Sequence, residues 1–424
     1  MTSETSTSNP ESGRYFIETL GCPKNQVDSD KLEGTLIADG MAPAHSADEA
    51  DLIVVNTCAF IEEARQESIH TILSLDHERS ESARLVVTGC MAERYGDELA
   101  EALPEADAVA GFGVPVTIGT KPNAAPSLDL LHLPRPPSSA PWAYVKIAEG
   151  CDRNCGFCAI PTFRGPQRSR TIEDICAEVD SLGAREIVLI AQDLASFGRD
   201  QGQGEKSIIP LVEAIADRVD WVRLLYLYPS DLTDALIEAM FATGVPYFDL
   251  SLQHVSRPLM RRMRRWGNGE LFLERIAKIR ARNSDAAFRS NFIVGYPGET
   301  EEDHDELLQF VEQARLDWCA FFAYSPEDGT YALDLDGQVD SELVGDRLSE
   351  LREMQDLITE EKRDEMIGRR VEVLVDEIGV ARSYREAPEI DGIIEVPTHL
   401  EVGAFASVTI TDAAGPDLTA TSEK

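Results

Sequence analysis

The chain has 424 residues, 43% of them hydrophobic, and its 76 Asp and Glu outnumber 39 Lys and Arg for a formal net charge of −37. That length supports two or three hydrophobic cores, and no run approaches the ~20 apolar residues of a membrane helix. The charge argues against general nucleic-acid binding, because so acidic a surface repels phosphate backbones.

Residues 1–13 are rich in Ser and Thr and lack both the basic start and the apolar core of a signal peptide. A disordered tail and a cytoplasmic location are expected. The acidity, with Lys scarce beside Arg, equally suits a surface adapted to a saline cytoplasm. Residues 14–111 are expected to form a first domain. Within it the apolar runs Arg14 to Cys22, Leu52 to Cys58 and Leu85 to Cys90 read as buried strands, each followed by a helical pattern. Strands alternating with helices predict a parallel α/β sheet of Rossmann or flavodoxin type, whose right-handed crossovers bring the carboxyl ends of the strands to one edge. Cys22, Cys58 and Cys90 then converge. One buried Cys is an ordinary small core residue. Three at equivalent topological points are better explained as ligands of a [4Fe–4S] cluster with one iron left open.

Phe112 to Pro141 carries Pro115, Pro122, Pro126, Pro134, Pro136, Pro137 and Pro141 and reads as a linker over residues 112–141. Residues 142–366 follow with six strand-like runs: Trp142 to Ala148, Glu186 to Gln192, Val222 to Leu227, Tyr247 to Leu252, Phe288 to Val294 and Ala320 to Tyr324. Helical stretches such as Ile172 to Leu182, Ser207 to Arg218, Leu232 to Ala242, Glu270 to Arg282 and Glu301 to Ala314 separate them. Six βα units are too few for a closed eight-stranded barrel and predict an open, partial (βα)6 barrel with its active site at the C-terminal strand ends.

Directly after the first of these strands comes Glu149-Gly150-Cys151-Asp152-Arg153-Asn154-Cys155-Gly156-Phe157-Cys158, with the spacing Cys-x3-Cys-x2-Cys. Three thiolates from one loop can hold three irons of a cubane cluster and leave the fourth open. A zinc knuckle would use paired Cys-x2-Cys. In a chain this large, cysteines read as metal ligands before disulfides, and the two outside the triads, Cys176 and Cys319, are assigned to the core.

The last segment, residues 367–424, is expected to be β: Arg370 to Val375, Ile390 to Ile394 and Phe405 to Thr411 alternate apolar and polar residues. It holds five Lys and Arg against eleven Asp and Glu, a net of −6. A surface that tracks RNA should be basic, so a basic protein is the expected partner of this segment. The one dense cationic stretch is Arg257, Arg261, Arg262, Arg264 and Arg265. It reads either as a contact for RNA or a substrate or as an internal salt-bridge network.

The Cys151–Cys158 loop is similar to the cluster loop of radical S-adenosylmethionine (AdoMet) enzymes, and the two cysteine triads, in their order and separation, resemble the methylthiotransferase family over nearly the whole chain. The words Lys146-Ile147-Ala148-Glu149-Gly150-Cys151, Cys158-Ala159-Ile160-Pro161, Tyr226-Leu227-Tyr228-Pro229, Leu252-Gln253-His254-Val255-Ser256 and Tyr324-Ser325-Pro326-Glu327 resemble the branch that acts on ribosomal protein S-twelve. Residues 367–424 resemble a TRAM domain, a small β-barrel.

The resemblance implies two [4Fe–4S] clusters, on Cys22, Cys58 and Cys90 and on Cys151, Cys155 and Cys158, with AdoMet chelated at the open iron of the second. Reductive cleavage there would give a 5′-deoxyadenosyl radical. It would remove hydrogen from the unactivated β-carbon of an aspartate, a position with no accessible pKa for acid–base chemistry. Sulfur at the first cluster, methylated by a second AdoMet, would then be captured to give 3-methylthioaspartate. Expected AdoMet contacts are Phe157 against the adenine, Gln192 and Asp193 where many of the superfamily carry a Gly-Gly-Glu, and Arg289 with Asn291 on the fifth strand, Arg289 for the carboxylate. Expected partners are ribosomal protein S-twelve, free or in the small subunit, an electron donor such as a flavodoxin or ferredoxin, and a sulfur donor, with no membrane. Two alternatives stay open. A tRNA adenosine methylthiotransferase would call for a basic TRAM face, and an iron–sulfur electron carrier would close each site with a fourth cysteine.

Overall fold

The computed structural model describes residues 13–114, 116, 129–202 and 208–422. Residues 1–12 of the expected N-terminal tail lie outside them, and Gly13, its last residue, accepts from the Ala42 amide at 3.1 Å. Two compact units are present, the chain through Pro136 with Thr162–Arg164, and Pro137–Pro161 with Gly165–Lys424.

The first unit is a parallel sheet of β1 (Arg14–Thr19), β2 (Ala42–Pro43), β3 (Leu52–Thr57), β4 (Arg84–Gly89) and β5 (Ala108–Val109) in the order β2-β1-β3-β4-β5. Helices α1 (Pro23–Ala38), α2 (Glu62–Glu78) and α3 (Cys90–Ala102) alternate with the strands. All six residues of β3 are buried, as a central strand covered on both faces requires. The edge strands β2 and β5 are two residues each and too short to show a period. Part of the Pro-rich stretch is more than a spacer: Leu130 is buried in this unit's core, and Lys31 Nζ donates to the Leu131 carbonyl at 2.7 Å.

The second unit holds β6 (Trp142–Lys146), the short antiparallel pair of β7 (Ala148–Glu149) and β8 (Arg168–Ser169), then β9 (Glu186–Ile190), β10 (Trp221–Leu224), β11 (Tyr247–Gln253), β12 (Ala287–Val294) and β13 (Trp318–Ala323). Parallel ladders join β10-β9-β6 and β11-β12-β13, and the parallel bridge Leu227–Leu250 links the two sets, which makes the open six-stranded barrel that the sequence predicts. The short α4 (Ile160–Arg164) is divided between the two units, and around the barrel lie α5 (Ile172–Leu182), α6 (Ile208–Ala216), α7 (Asp234–Ala242), α8 (Arg257–Arg262), α9 (Gly269–Arg282), α10 (Glu301–Ala314) and α11 (Ser341–Asp364). Local chemistry sets several ends. Thr171 caps α5, Gly183 closes it in the left-handed region, and Thr300 with Asp303 forms a capping box on α10. The 24-residue α11 is not among the expected helices, because Arg347, Gln355, Thr359 and Arg363 are buried on it and blur the apolar stripe. Cys176 is buried on α5 and Cys319 packs half-buried against the barrel core, as expected of both.

The chain ends in a closed barrel of β14 (Arg370–Glu377), β15 (Val380–Arg382), β16 (Ile394–Glu395), β17 (Phe405–Ala414) and β18 (Asp417–Ser422), ordered β14-β15-β16-β18-β17. The expected strand Ile390–Ile394 contracts to β16, because the residues before it serve another purpose. The stretch from Arg382 to Asp391 meets every barrel strand within its first three residues. Tyr144 on β6 donates to the Pro388 carbonyl at 2.8 Å, Arg382 pairs with Glu186 on β9 at 2.9 Å, and Arg223 on β10 donates to the Tyr384 carbonyl at 2.9 Å. Tyr247 on β11 donates to Asp391 at 2.6 Å, Arg289 on β12 pairs with Asp391 at 3.4 Å, and Trp318 on β13 donates to the Arg385 carbonyl at 2.8 Å. The small barrel therefore closes the N-terminal end of the large one, the end where stability and not catalysis is built.

Glu186 anchors this closure. It is fully buried between Arg223 at 2.7 Å and Arg382 at 2.9 Å. Burial opposes its charge, yet the two guanidiniums outweigh burial and hold its pKa below the ordinary value. Glu186→Gln leaves two buried cations without this counter-charge and is expected to cost ~3–5 kcal/mol. A urea unfolding midpoint unchanged from wild type would contradict that.

Candidate functional site

In the first unit the three cysteines stand where the sheet topology puts them. Cys22 caps α1 just past β1, Cys58 follows β3, and Cys90 opens α3 directly after β4. These three strands are neighbours in the sheet. Gly21 lets the first loop pass close to the second: at φ +96°, a Cβ there would lie 2.8 Å from Cys58 Cβ and 2.9 Å from its Sγ. Asn25 ties the loops together, its Nδ2 donating to the carbonyls of Leu20 at 2.9 Å and Thr57 at 3.0 Å. Burial pushes the Cys58 thiol up to about 12, with Cys22 and Cys90 adding to the rise, and burial also raises Cys90. At Cys22 burial is outweighed by Lys24, Arg164 and two backbone N–H groups, and the pKa is lowered.

Arg164 is the residue here that the sequence reading misses. Its guanidinium donates to Cys90 Sγ at 3.0 Å and to Asn25 Oδ1 at 2.8 Å, reaches Asp28 at 3.5 Å, and lies 4.6 Å from the centre of the Phe112 ring. Only its place six residues after Cys158 marks it in the sequence, and a lone Arg carries no pattern.

In the second unit the other triad sits at the C-terminal end of β6. Gly150 turns the chain at φ +81°, and a Cβ there would strike the Pro166 carbonyl at 2.2 Å. Backbone bonds then hold the loop: Cys151 N to the Gly165 carbonyl at 3.1 Å, Cys158 N to the Cys155 carbonyl at 3.2 Å, and Gly156 N to the Met263 carbonyl at 2.8 Å. Burial raises Cys151 to about 11 and Cys158 to about 12, and neighbouring thiols of the triad contribute to both. Arg265 donates to Cys155 Sγ at 3.3 Å, and the Arg153 amide to Cys151 Sγ at 3.4 Å. The guanidiniums of Arg153 and Arg265 both lie over Tyr228, 3.9 and 4.3 Å from its ring centre.

The donor set suits a cluster. Thiols with raised pKa values, as at Cys58, Cys90, Cys151 and Cys158, stay protonated until metal displaces the proton, which is how thiolate sites load. Each triad offers three sulfurs, and neither Cys176 nor Cys319 interacts with a triad thiol among the described residues. A four-thiolate, closed site is therefore not built at either place.

On the barrel strands and just beyond them, several buried polar atoms have no protein partner among the described residues: Gln192 Oε1, Asp193 Oδ1, Asn291 Oδ1 and the Tyr324 hydroxyl. Gln192 and Asp193 lie just beyond β9. Gln192 Nε2 donates to Glu149 Oε1 at 2.6 Å, Lys146 Nζ pairs with Glu149 at 2.7 Å, and Arg153 holds Asp193 at 2.6 Å. Such orphaned acceptors fit a ligand rich in N–H and O–H donors, as the amino group and ribose of AdoMet are. Phe157 packs half-buried against the barrel core. Arg289 departs from the expectation. It is the third residue of β12, with Asp249 at 3.5 Å and Asp391 at 3.4 Å, and so is engaged at the closed end of the barrel. Its strand position pointed to AdoMet, but the sequence gives no sign that Asp391, some hundred residues on, returns to take it.

Three family models match the chain: the uncharacterized protein family UPF0004 over residues 14–111, the radical SAM superfamily over 145–311 and the TRAM domain over 367–422. Curated relatives include the ribosomal protein uS12 methylthiotransferases RimO of Kineococcus radiotolerans, 39% identical with 95% of this chain and 96% of that one covered, and of Moorella thermoacetica, 42% identical with 90% and 93% covered. That of Thermotoga maritima is 38% identical, with 94% and 97% covered. Among solved structures, the radical S-adenosylmethionine methyltransferase TsrM of Kitasatospora setae aligns at 14% identity with a TM-score of 0.49, covering 76% of this chain and 74% of that one. With identities near 40% spanning almost the full length on both sides, the chain belongs to the RimO family of radical AdoMet methylthiotransferases.

Proposed function

We propose that this chain adds a methylthio group to the β-carbon of an aspartate in ribosomal protein uS12, giving 3-methylthioaspartate. The observation that carries the reading is the pair of three-thiol sites, each without a fourth sulfur, in a chain whose relatives are named for this reaction. One open site suits AdoMet and the other suits the sulfur to be donated. Bound there, the clusters and AdoMet supply radical formation and sulfur transfer, chemistry no side chain offers.

The protein's own contribution is binding and orientation. Cys151, Cys155 and Cys158 would hold the cluster that meets AdoMet, with Gln192, Asp193 and Asn291 offering acceptors to AdoMet and Phe157 an apolar face. Glu149, fixed by Lys146, orients Gln192. Cys22, Cys58 and Cys90 would hold the second cluster. The reading calls for an electron donor such as a flavodoxin or ferredoxin and for a sulfur donor. No helix among the described residues is long and apolar enough to cross a membrane, and we place the enzyme in the cytoplasm with its ribosomal substrate.

The acidic TRAM segment disfavours the tRNA alternative, the more so because Arg382 and Arg385 are buried against carboxylates and add nothing to its outer face. Anaerobic reconstitution tests the reading at its base. About eight irons per chain, the content of two cubanes, with release of 5′-deoxyadenosine on reduction is the expected result, and about four irons with no cleavage would overturn it.

Arg164 gives a separable test. A cation donating to a ligand sulfur stabilises the added electron or anionic sulfur of a buried cluster. Arg164→Gln is expected to lower methylthiolation at least tenfold, to change the electron paramagnetic resonance signal of the first cluster, and to leave 5′-deoxyadenosine formation intact. Arg164→Lys should restore part of the loss. Wild-type spectra and product in Arg164→Gln would show the contact to be packing alone.

A further inference from the structure

The five arginines between residues 257 and 265 divide into two groups. Arg262 is engaged internally, donating to the Pro297 carbonyl at 2.8 Å and pairing with Asp336, and Arg265 reaches Cys155 Sγ and the Ser251 carbonyl. Arg257, Arg261 and Arg264 are exposed and form no ion pair with any described residue. That is unusual here, because acidic groups outnumber basic ones almost two to one and most arginines of the second unit are bonded to a carboxylate or a carbonyl. No Asp or Glu occurs from His254 through Gly269, so nothing in the local sequence neutralises the three.

Two aromatic rings share this face. Trp266 is 45% exposed and Tyr331 41% exposed, and the Arg264 guanidinium stacks 3.6 Å from the Tyr331 ring centre. Arg264 is presented from a left-handed backbone, at φ +55°. The face also borders the second cysteine triad through the Gly156–Met263 backbone bond and the Arg265 contact to Cys155. Unpaired guanidiniums with exposed rings are what phosphate groups and unstacked bases recognise.

We propose that Arg257, Arg261 and Arg264, with Trp266 and Tyr331, form a docking face for RNA carried by the substrate, so that the enzyme acts on its ribosomal protein in the RNA-bound state. The inference rests on the proposed function and names the form of its substrate. It is compatible with a net charge of −37: the acidic body repels free RNA and attracts a basic protein, and the arginine face engages phosphates only once that protein is bound. Binding of isolated RNA is accordingly weak.

The test compares isolated uS12 with assembled small subunits as substrates, using wild type and the triple variant Arg257→Gln, Arg261→Gln, Arg264→Gln over a range of salt. Wild type should modify subunits at least tenfold faster than the free protein. The triple variant should lose that advantage, keep its rate on free uS12, and show a log–log salt dependence of subunit binding shallower by about 3, roughly one for each phosphate contact removed. Cosedimentation with subunits gives the salt slope without catalysis. AdoMet cleavage serves as the folding control, and Arg261→Gln alone replaces the triple variant if that control fails. Equal rates and slopes for variant and wild type would overturn the proposal, as would an equal loss on free uS12, which would place the face against protein. A wild type that modifies neither substrate would instead sink the proposed function, and this inference with it.

Discussion

Cys155→Ala is expected to abolish AdoMet cleavage and to leave about half of the iron, the share of one of two four-iron clusters. Cys155 is one of three sulfurs on a loop held by its own backbone bonds, so removing it deletes a ligand without loosening the loop. It is only half-buried, and truncation leaves little cavity. With two thiolates the cubane lacks a ligand for a second iron, and the open position is no longer defined. Quantified 5′-deoxyadenosine and chelated iron read the two effects separately. Full cleavage in this variant would remove the Cys151–Cys158 loop from radical chemistry.

Cys58→Ala is expected to do the reverse, keeping 5′-deoxyadenosine formation while methylthiolated product falls below detection. Cys58 sits against Gly21 on the central strand's carboxyl end, and Ala is smaller, so the close approach of the two loops survives. The loss falls on the cluster, again about half of the iron. Normal product from Cys58→Ala would take the first triad out of the reaction and leave three cysteines at neighbouring strand ends, two of them buried, without a role.

Much of this was legible because it is periodic or local. The strands before Cys58 and Cys90 are β-branched and almost wholly buried, whereas β1 before Cys22, expected to be buried, is mostly half-buried with only Tyr15 fully covered; the six strands of the barrel follow the same logic. Both triads follow from strand order and spacing alone. Features built from distant pairs were not legible. Asp391 takes Arg289, Glu186 takes Arg382, and Arg164 meets Cys90 across 74 residues of sequence. The helix from Ser341 to Asp364 hid behind buried arginines whose partners, such as Glu386 for Arg363 and Glu299 for Arg347, lie on other elements. Buried charge is invisible to hydrophobic periodicity, since its partner must be known first. The cationic stretch was ambiguous for the same reason: which arginines turn inward depends on the Ser251 carbonyl and on Pro297 and Asp336, the last two 35 and 74 residues from Arg262.

The most direct measurement offers the reconstituted enzyme, with AdoMet and reductant under anaerobic conditions, uS12 and bulk tRNA in parallel and reads both by mass spectrometry. A methylthio mass gain on an aspartate of uS12, with tRNA unchanged, is the predicted result. Gain on tRNA adenosine with uS12 unchanged would contradict it and return the acidic TRAM segment to the role of an RNA-binding domain.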